Sequence, residues 1–262
     1  PQGSQNYDPL YSVFFISSNT GWIAGDDGTI LNTIDGGTTW TFQLGGLSGG
    51  ILSIYFTDEN KGCAVGAFGR ILTTTDGGTN WNTQASGTST HLLGVYFIDS
   101  NTGWAVGLGI ILKTIDGGMN WTVQISGTTN WFNDISFTDT NTGTTVGGNW
   151  NGSSYESTIL KTTNGGTNWT AQSSGTIGLL NAVSFTDANN GTVVGDGGAI
   201  LRTTNGGTNW NLLSSGNSYP LYSIFFIDSN TGWAVGYNDI DSLAAVLKTT
   251  NGGTNWIVQT IL

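Results

Sequence analysis

The chain has 262 residues, 42 of them Gly, 11 Trp and only 3 Pro, and 17 acidic against 6 basic residues leave a formal net charge of −11. Its 37% hydrophobic and 11% aromatic residues supply a sizeable core, which excludes a disordered chain. Phosphate backbones and anionic bilayers are held by clustered Lys and Arg, so nucleic acid and membrane surfaces are excluded as partners, and no apolar run approaches the ~18 residues of a transmembrane segment.

In chain order the sequence reads as six units of one kind, at about 10–43, 51–84, 91–124, 132–172, 179–213 and 220–259, forming a single domain over 1–262. Each carries one short string: DGGTTW (Asp35 to Trp40), DGGTNW (Asp76 to Trp81), DGGMNW (Asp116 to Trp121), then NGGTNW three times (Asn164 to Trp169, Asn205 to Trp210, Asn251 to Trp256). The strings start 41, 40, 48, 41 and 46 residues apart. A second string, Asp-x-Asn-x-Gly, alternates with the first at Asp99, Asp139, Asp187 and Asp228, with related copies at Ser17 and Asp58.

Between these turns lie runs rich in Val, Ile, Phe, Thr and Trp, bounded by Gly, Asn and Asp, which is the signature of strands. The third unit has four: 92–98, 104–107, 110–114 and 120–124. No stretch keeps a 3.6-residue apolar period, so helices are excluded. Four strands every ~43 residues predict an all-β, six-bladed propeller of four-stranded antiparallel blades; a seven-bladed ring with one repeat lost is the alternative. All four strands of each blade are contiguous, so closure rests on the first blade meeting the sixth, with residues 1–9 or 260–262 overlapping the seam. The start at Pro1, with no charged-then-apolar leader, suggests a processed or trimmed chain.

In the DGG/NGG string the Asp or Asn accepts backbone amides, the glycines allow a tight turn and the Trp anchors it. Asp35, Trp40, Asp76, Trp81, Asp116, Trp121, Asn164, Trp169, Asn205, Trp210, Asn251 and Trp256 are therefore read as structural. Asp-x-Asn-x-Gly shares alternating oxygens with the start of a calcium loop but lacks the late Glu, and is read as an Asx-stabilised hairpin. His91 is the only histidine, so neither a histidine metal cluster nor a Ser-His-Asp set assembles, and no metal or cofactor is expected. The lone Cys63 cannot form an intrachain disulfide; it replaces the Trp found at 22, 104 and 233 and is read as a small buried apolar residue.

In a meander both repeated turns fall on one face, and the connections between strands two and three, and between blades, fall on the other. There the sequence varies. The second-to-third connection is short at 25–31, 66–72 and 107–112 and long at 147–160 and 236–247. A constant face opposite a diversified one predicts a binding face. Trp131 and Trp150 belong to no repeated string; with Tyr155, Glu156, Asn149 and His91 they are candidates for an aromatic platform that takes a peptide or a sugar ring, or they cover the insertion's own small core. Tyr237 and Asp239 are candidates in the second insertion. A glycosidase would use paired carboxylates drawn from Asp26, Asp27, Glu156, Asp196, Asp239 and Asp241.

The Asp/Asn-Gly-Gly strings resemble the Asp-box, or bacterial neuraminidase repeat, of sialidases, sortilin-type receptors and xyloglucan hydrolases. Together with GWAVG at 103–107, ILKTT at 159–163 and LKTT at 247–250, they are most similar to photosystem II assembly/stability-factor propellers. The resemblance covers about 10–259 and implies a box between the third and fourth strands, away from the working face. It further implies a non-enzymatic chaperone that docks a membrane-protein precursor and pigment–protein complexes through an arginine patch. With only Arg70 and Arg202 and an isoelectric point near 4.1, the chain departs from that patch and from the arginine cluster of a sialidase. The functional reading is a non-catalytic interaction or scaffold module that binds protein or glycan through the variable face. The alternatives are a glycoside hydrolase or a self-assembling structural subunit of a surface layer. Abundant Thr, Asn and Gly with few Lys predict an extracellular, cell-surface or periplasmic protein.

Overall fold

Glycine and Asx residues interrupt the chain so often that its strands are two to eight residues long, and each satisfies its backbone by pairing with the next in an antiparallel ladder. The computed structural model describes residues 9–176, 178–216, 218–238 and 243–259. It contains six four-stranded sheets, each in sequence order, and the fold is that of a six-bladed β-propeller. The terminal residues expected to overlap a seam lie outside the described residues, apart from Pro9.

The chain divides into two compact units, 1–124 and 125–262. In the first, blade 1 is β1 (Leu10–Phe15), β2 (Gly21–Gly25), β3 (Ile30–Thr33) and β4 (Thr41–Leu44). Blade 2 is β5 (Ile51–Phe56), β6 (Gly62–Gly66), β7 (Ile71–Thr74) and β8 (Asn82–Gln84), and blade 3 is β9 (Leu92–Phe97), β10 (Gly103–Gly107), β11 (Ile110–Thr114) and β12 (Thr122–Gln124). In the second unit, blade 4 is β13 (Trp131–Phe137), β14 (Gly143–Trp150), β15 (Tyr155–Thr162) and β16 (Thr170–Gln172). Blade 5 is β17 (Leu180–Phe185), β18 (Gly191–Gly195), β19 (Ile200–Thr203) and β20 (Asn211–Leu213), and blade 6 is β21 (Leu221–Phe226), β22 (Gly232–Asn238), β23 (Leu243–Thr249) and β24 (Ile257–Val258).

Within each unit the core lies between successive blades. Trp22, Ala24 and Ile30 of blade 1 pack against Ile51, Ile54 and Phe56 of blade 2, and Val146 and Ile159 of blade 4 pack against Leu180, Val183 and Val193 of blade 5. Every blade also repeats one aromatic pair: the last Phe of its first strand meets its own Asp-box Trp edge-on. The pairs are Phe15–Trp40, Phe56–Trp81, Phe97–Trp121, Phe137–Trp169, Phe185–Trp210 and Phe226–Trp256, with centroids 5.9–6.2 Å apart.

The long connection of blade 4 is a continuation of the sheet. β14 and β15 stay paired out to Trp150 opposite Tyr155, and the turn is closed by Asn151, whose Oδ1 accepts from the Ser153 and Ser154 amides at 3.0 Å. Blade 6 does the same, pairing out to Asn238 opposite Leu243. Ladder hydrogen bonds thus replace the exposed backbone that an irregular loop would leave to water.

Candidate binding face

The turn face is committed to structure. In each Asp box the leading Asp or Asn Oδ1 accepts the amide four residues on, at 2.8–2.9 Å. A buried threonine two residues before the box (Thr33, Thr74, Thr114, Thr162, Thr203, Thr249) donates to that oxygen. The same hydroxyl accepts the amide of the second box glycine at 2.8–3.0 Å. The Thr39 hydroxyl and the Asn80 and Asn120 side chains hold the Asp35, Asp76 and Asp116 carboxyls below the usual carboxylate range. In the alternate turn, Asp58, Asp99, Asp139, Asp187 and Asp228 each accept two backbone amides at 2.7–2.9 Å. Cys63 is buried, and burial pushes its thiol pKa up, so it packs as a neutral side chain.

On the opposite face the candidates separate. Trp131 pairs with Gly148, and Trp150, two residues on, pairs with Tyr155, so strand alternation puts the three aromatic side chains on one face of the β14–β15 hairpin. They are 40–50% exposed, and the Trp150 and Tyr155 rings lie 5.0 Å apart at 62°. Asn149 pairs with Glu156 on the other face of that hairpin, where Glu156 Oε1 accepts from Asn151 Nδ2 at 2.6 Å. A groove of about 710 Å³ runs beside them, lined by Glu156, Ser157, Gln172 and Ser174 to Thr176. Tyr237 is exposed on β22, whereas Asp239 and Asp241 lie outside the described residues.

His91 belongs to the first unit and serves a local turn: its Nδ1 accepts the Phe68 amide at 3.3 Å. Asp26 and Asp27 form part of a 3-10 turn, 26–28, in that unit, and Asp196 accepts from the Leu179 amide and Asn181 Nδ2. Both arginines also serve backbone: Arg70 Nη1 donates to Gly49 O at 3.0 Å and Arg202 Nε to Gly252 O at 2.7 Å.

Two residues escaped the sequence reading. Phe68 is 62% exposed and left-handed at φ 59°, where Asp27 and Gly197 stand in the matching turns of blades 1 and 5; a Phe in a string that elsewhere carries Asp or Gly was the available signal. Asp134 stands where β1, β5 and β21 carry Ser12, Ser53 and Ser223. Its two oxygens accept the Ile135 and Val183 amides at 2.8 and 2.9 Å, and burial raises its pKa to about 6. The folded chain therefore holds this proton more tightly than the unfolded chain, so Asp134 contributes progressively less stability as pH rises from about 4 to 6, and its contribution is constant above that. Asp134→Ser keeps a hydroxyl acceptor, as Ser12 does for the Ile54 amide. Relative to wild type, its melting temperature should rise between pH 4 and pH 7; a difference that stays flat with pH would contradict the raised pKa.

Six blades with this turn chemistry define an Asp-box β-propeller. The particular family follows from the sequence match: the chain belongs to the photosynthesis system II assembly factor YCF48 family, whose profile matches residues 46–182 and 123–256. A search of curated proteins gives no match. Among solved structures, YCF48 bound to D1 peptide is 23% identical with a TM-score of 0.74, covering 96% of this chain and 80% of its own. YCF48 from Cyanidioschyzon merolae is 20% identical at 0.72, covering 96% and 85%. A GH74 xyloglucanase from Xanthomonas campestris is 10% identical at 0.69, covering 97% of this chain and 45% of its own, a likeness of fold alone.

The family corrects the expected extracellular or cell-surface location. Photosystem II is assembled at photosynthetic membranes within the cell, and of the compartments expected only a periplasm-like one stays compatible. Composition misled because Thr, Asn and Gly serve the repeated turns wherever the protein resides. No helix among the described residues is long and apolar enough to cross a membrane.

Proposed function

We propose that the chain is a non-catalytic, protein-binding assembly module that takes an extended polypeptide segment on the variable face, with the Trp131, Trp150 and Tyr155 patch as its anchor. The observation that carries this reading is membership of an assembly-factor family, one of whose solved relatives is bound to D1 peptide. The hairpin supports it, because rigid aromatic side chains held on paired strands lose little entropy on binding and are the residue types that dominate interface energy. The charge of −11 favours a basic segment, whose association slows as salt rises. The arginine patch implied by the resemblance is not part of this reading, since Arg70 and Arg202 are engaged with backbone carbonyls.

The test is calorimetric titration of the intact chain with a synthetic D1 peptide and with a basic peptide array. Trp150→Ala and Trp131→Ala should each weaken binding at least tenfold, about 1.4 kcal/mol, while the melting temperature stays within a few degrees. Unchanged affinity in both variants would overturn the placement of the site.

A further inference from the structure

Where two blades meet, the first glycine of the next Asp box turns its carbonyl oxygen toward the preceding sheet, and at three seams a long side chain answers it. Gly77 O accepts from Trp22 Nε1 and from Gln43 Nε2, both at 3.0 Å. Gly206 O accepts from Lys161 Nζ, and Gly252 O from Arg202 Nε at 2.7 Å. The principal donor comes from one of two positions: the second residue of a blade's second strand, as in Trp22, or the residue just before the box threonine, as in Lys161 and Arg202.

Blade 6 carries a donor at both positions, Trp233 and Lys248, and neither donates to an acceptor among the described residues. The Lys248 ammonium instead lies over the Trp233 ring of its own sheet, 5.2 Å from the centroid. Blade 1 carries the matching acceptor: Gly36 O, the counterpart of Gly77 O, takes no hydrogen bond from the described residues. The apolar faces around these groups are open in the same way. Val13 is 62% exposed and lies between the exposed Leu10 and Phe15, whereas Ile54, Val95, Ile135, Val183 and Ile224, at the same place in the other blades, are buried. Val235 is 42% exposed and Phe225, which pairs with Trp233, is exposed too, whereas Ala24, Val65, Val106, Val146 and Val194 are fully buried at the place of Val235. Repeat arrays are ordinarily ended by repeats with a polar outer face, and neither end blade has one.

We propose that blade 6 of one copy docks head to tail on blade 1 of a second copy and reproduces there the seam of blades 1 and 2. Val235 and Phe225 cover the face formed by Val13 and Phe15 of the second copy, and Lys248 or Trp233 donates to its Gly36 carbonyl. The contact is continuous with one the fold already uses, because blades 1 and 2, and blades 4 and 5, join the same two faces. Charge agrees: Lys248, one of only six basic residues, comes beside the Asp35 box carboxyl, a local attraction that opposes the mutual repulsion of two chains of charge −11. The proposal does not depend on the function proposed above.

Association of the full chain is followed by sedimentation velocity over a wide range of concentration. Wild type should form species larger than a dimer as concentration rises, since a head-to-tail contact leaves one face free at each end. Val13→Asp and Val235→Asp each place an unpaired carboxylate in the contact and should weaken self-association at least tenfold. Each variant keeps one working face, so the two mixed should form a one-to-one heterodimer and nothing larger. Val123→Asp, which adds the same charge on exposed β12, should leave association unchanged. All three positions are exposed, so the melting temperatures should stay within a few degrees of wild type. A wild type that stays monomeric at every concentration, a single face variant that associates as wild type does, or a mixture that gives no heterodimer would overturn the proposal. So would a monomer whose melting temperature falls on Val13→Asp, which would pair the two faces within one chain.

Discussion

Trp22→Ala is expected to lower the unfolding free energy by ~3–5 kcal/mol, the range for deleting a buried aromatic side chain whose surroundings cannot collapse. Trp22 is 1% exposed, lies parallel to the Phe56 ring and donates to Gly77 O, so the truncation removes a stacked contact and leaves that carbonyl with only the Gln43 donor. Collapse is resisted because Phe56 is itself held edge-on by Trp81. Trp22→Phe keeps much of the apolar area and loses the N–H, so it should fall between, at ~1–2 kcal/mol. Urea unfolding of the three proteins side by side gives the comparison. A loss below ~1 kcal/mol for the alanine variant would mean that the seam does not hold blades 1 and 2 together.

Gly107→Ala is expected to cost ~3 kcal/mol, at or above the usual range for overpacking. A Cβ at this position would lie 1.9 Å from the His91 carbonyl oxygen and 2.9 Å from Leu92 Cα, both of them backbone. Neither can withdraw, since His91 O accepts the Leu108 amide at 3.1 Å and Leu92 is fully buried. The glycine is required for room, where β9 bulges and its backbone crosses close over the end of β10. Gly87 is the contrasting site: its φ is 73° but a Cβ would meet nothing within 4 Å, so alanine there should cost only the ~1–2 kcal/mol of a left-handed backbone. Melting curves that rank Gly87→Ala below Gly107→Ala would contradict the crowding account.

Much of the blade was legible in the primary sequence, and some signals were present but unused. The repeated Phe at 15, 56, 97, 137, 185 and 226 partners each box Trp, and the threonine two residues before each box completes its turn; both recur in all six repeats. The candidate site was legible only in part. Trp131, Trp150 and Tyr155 do share a face, but Asn149 and Glu156 fall on the other side of the hairpin, because the insertion is paired strand with a period of two and not an irregular loop. His91, grouped with them by its place on the variable face, is engaged with Phe68 of its own unit.

The division follows the range over which each interaction acts. Strand character, turn chemistry and the box hydrogen bonds join residues at most a few positions apart, so a 262-residue chain that repeats them six times declares its blades, its turns and its family without coordinates. The donors that cross a seam lie 34–55 residues from their acceptors, and Asp134, whose pKa burial raises, accepts the amide of Val183 in the following blade, 49 residues on. Only packing brings such partners together.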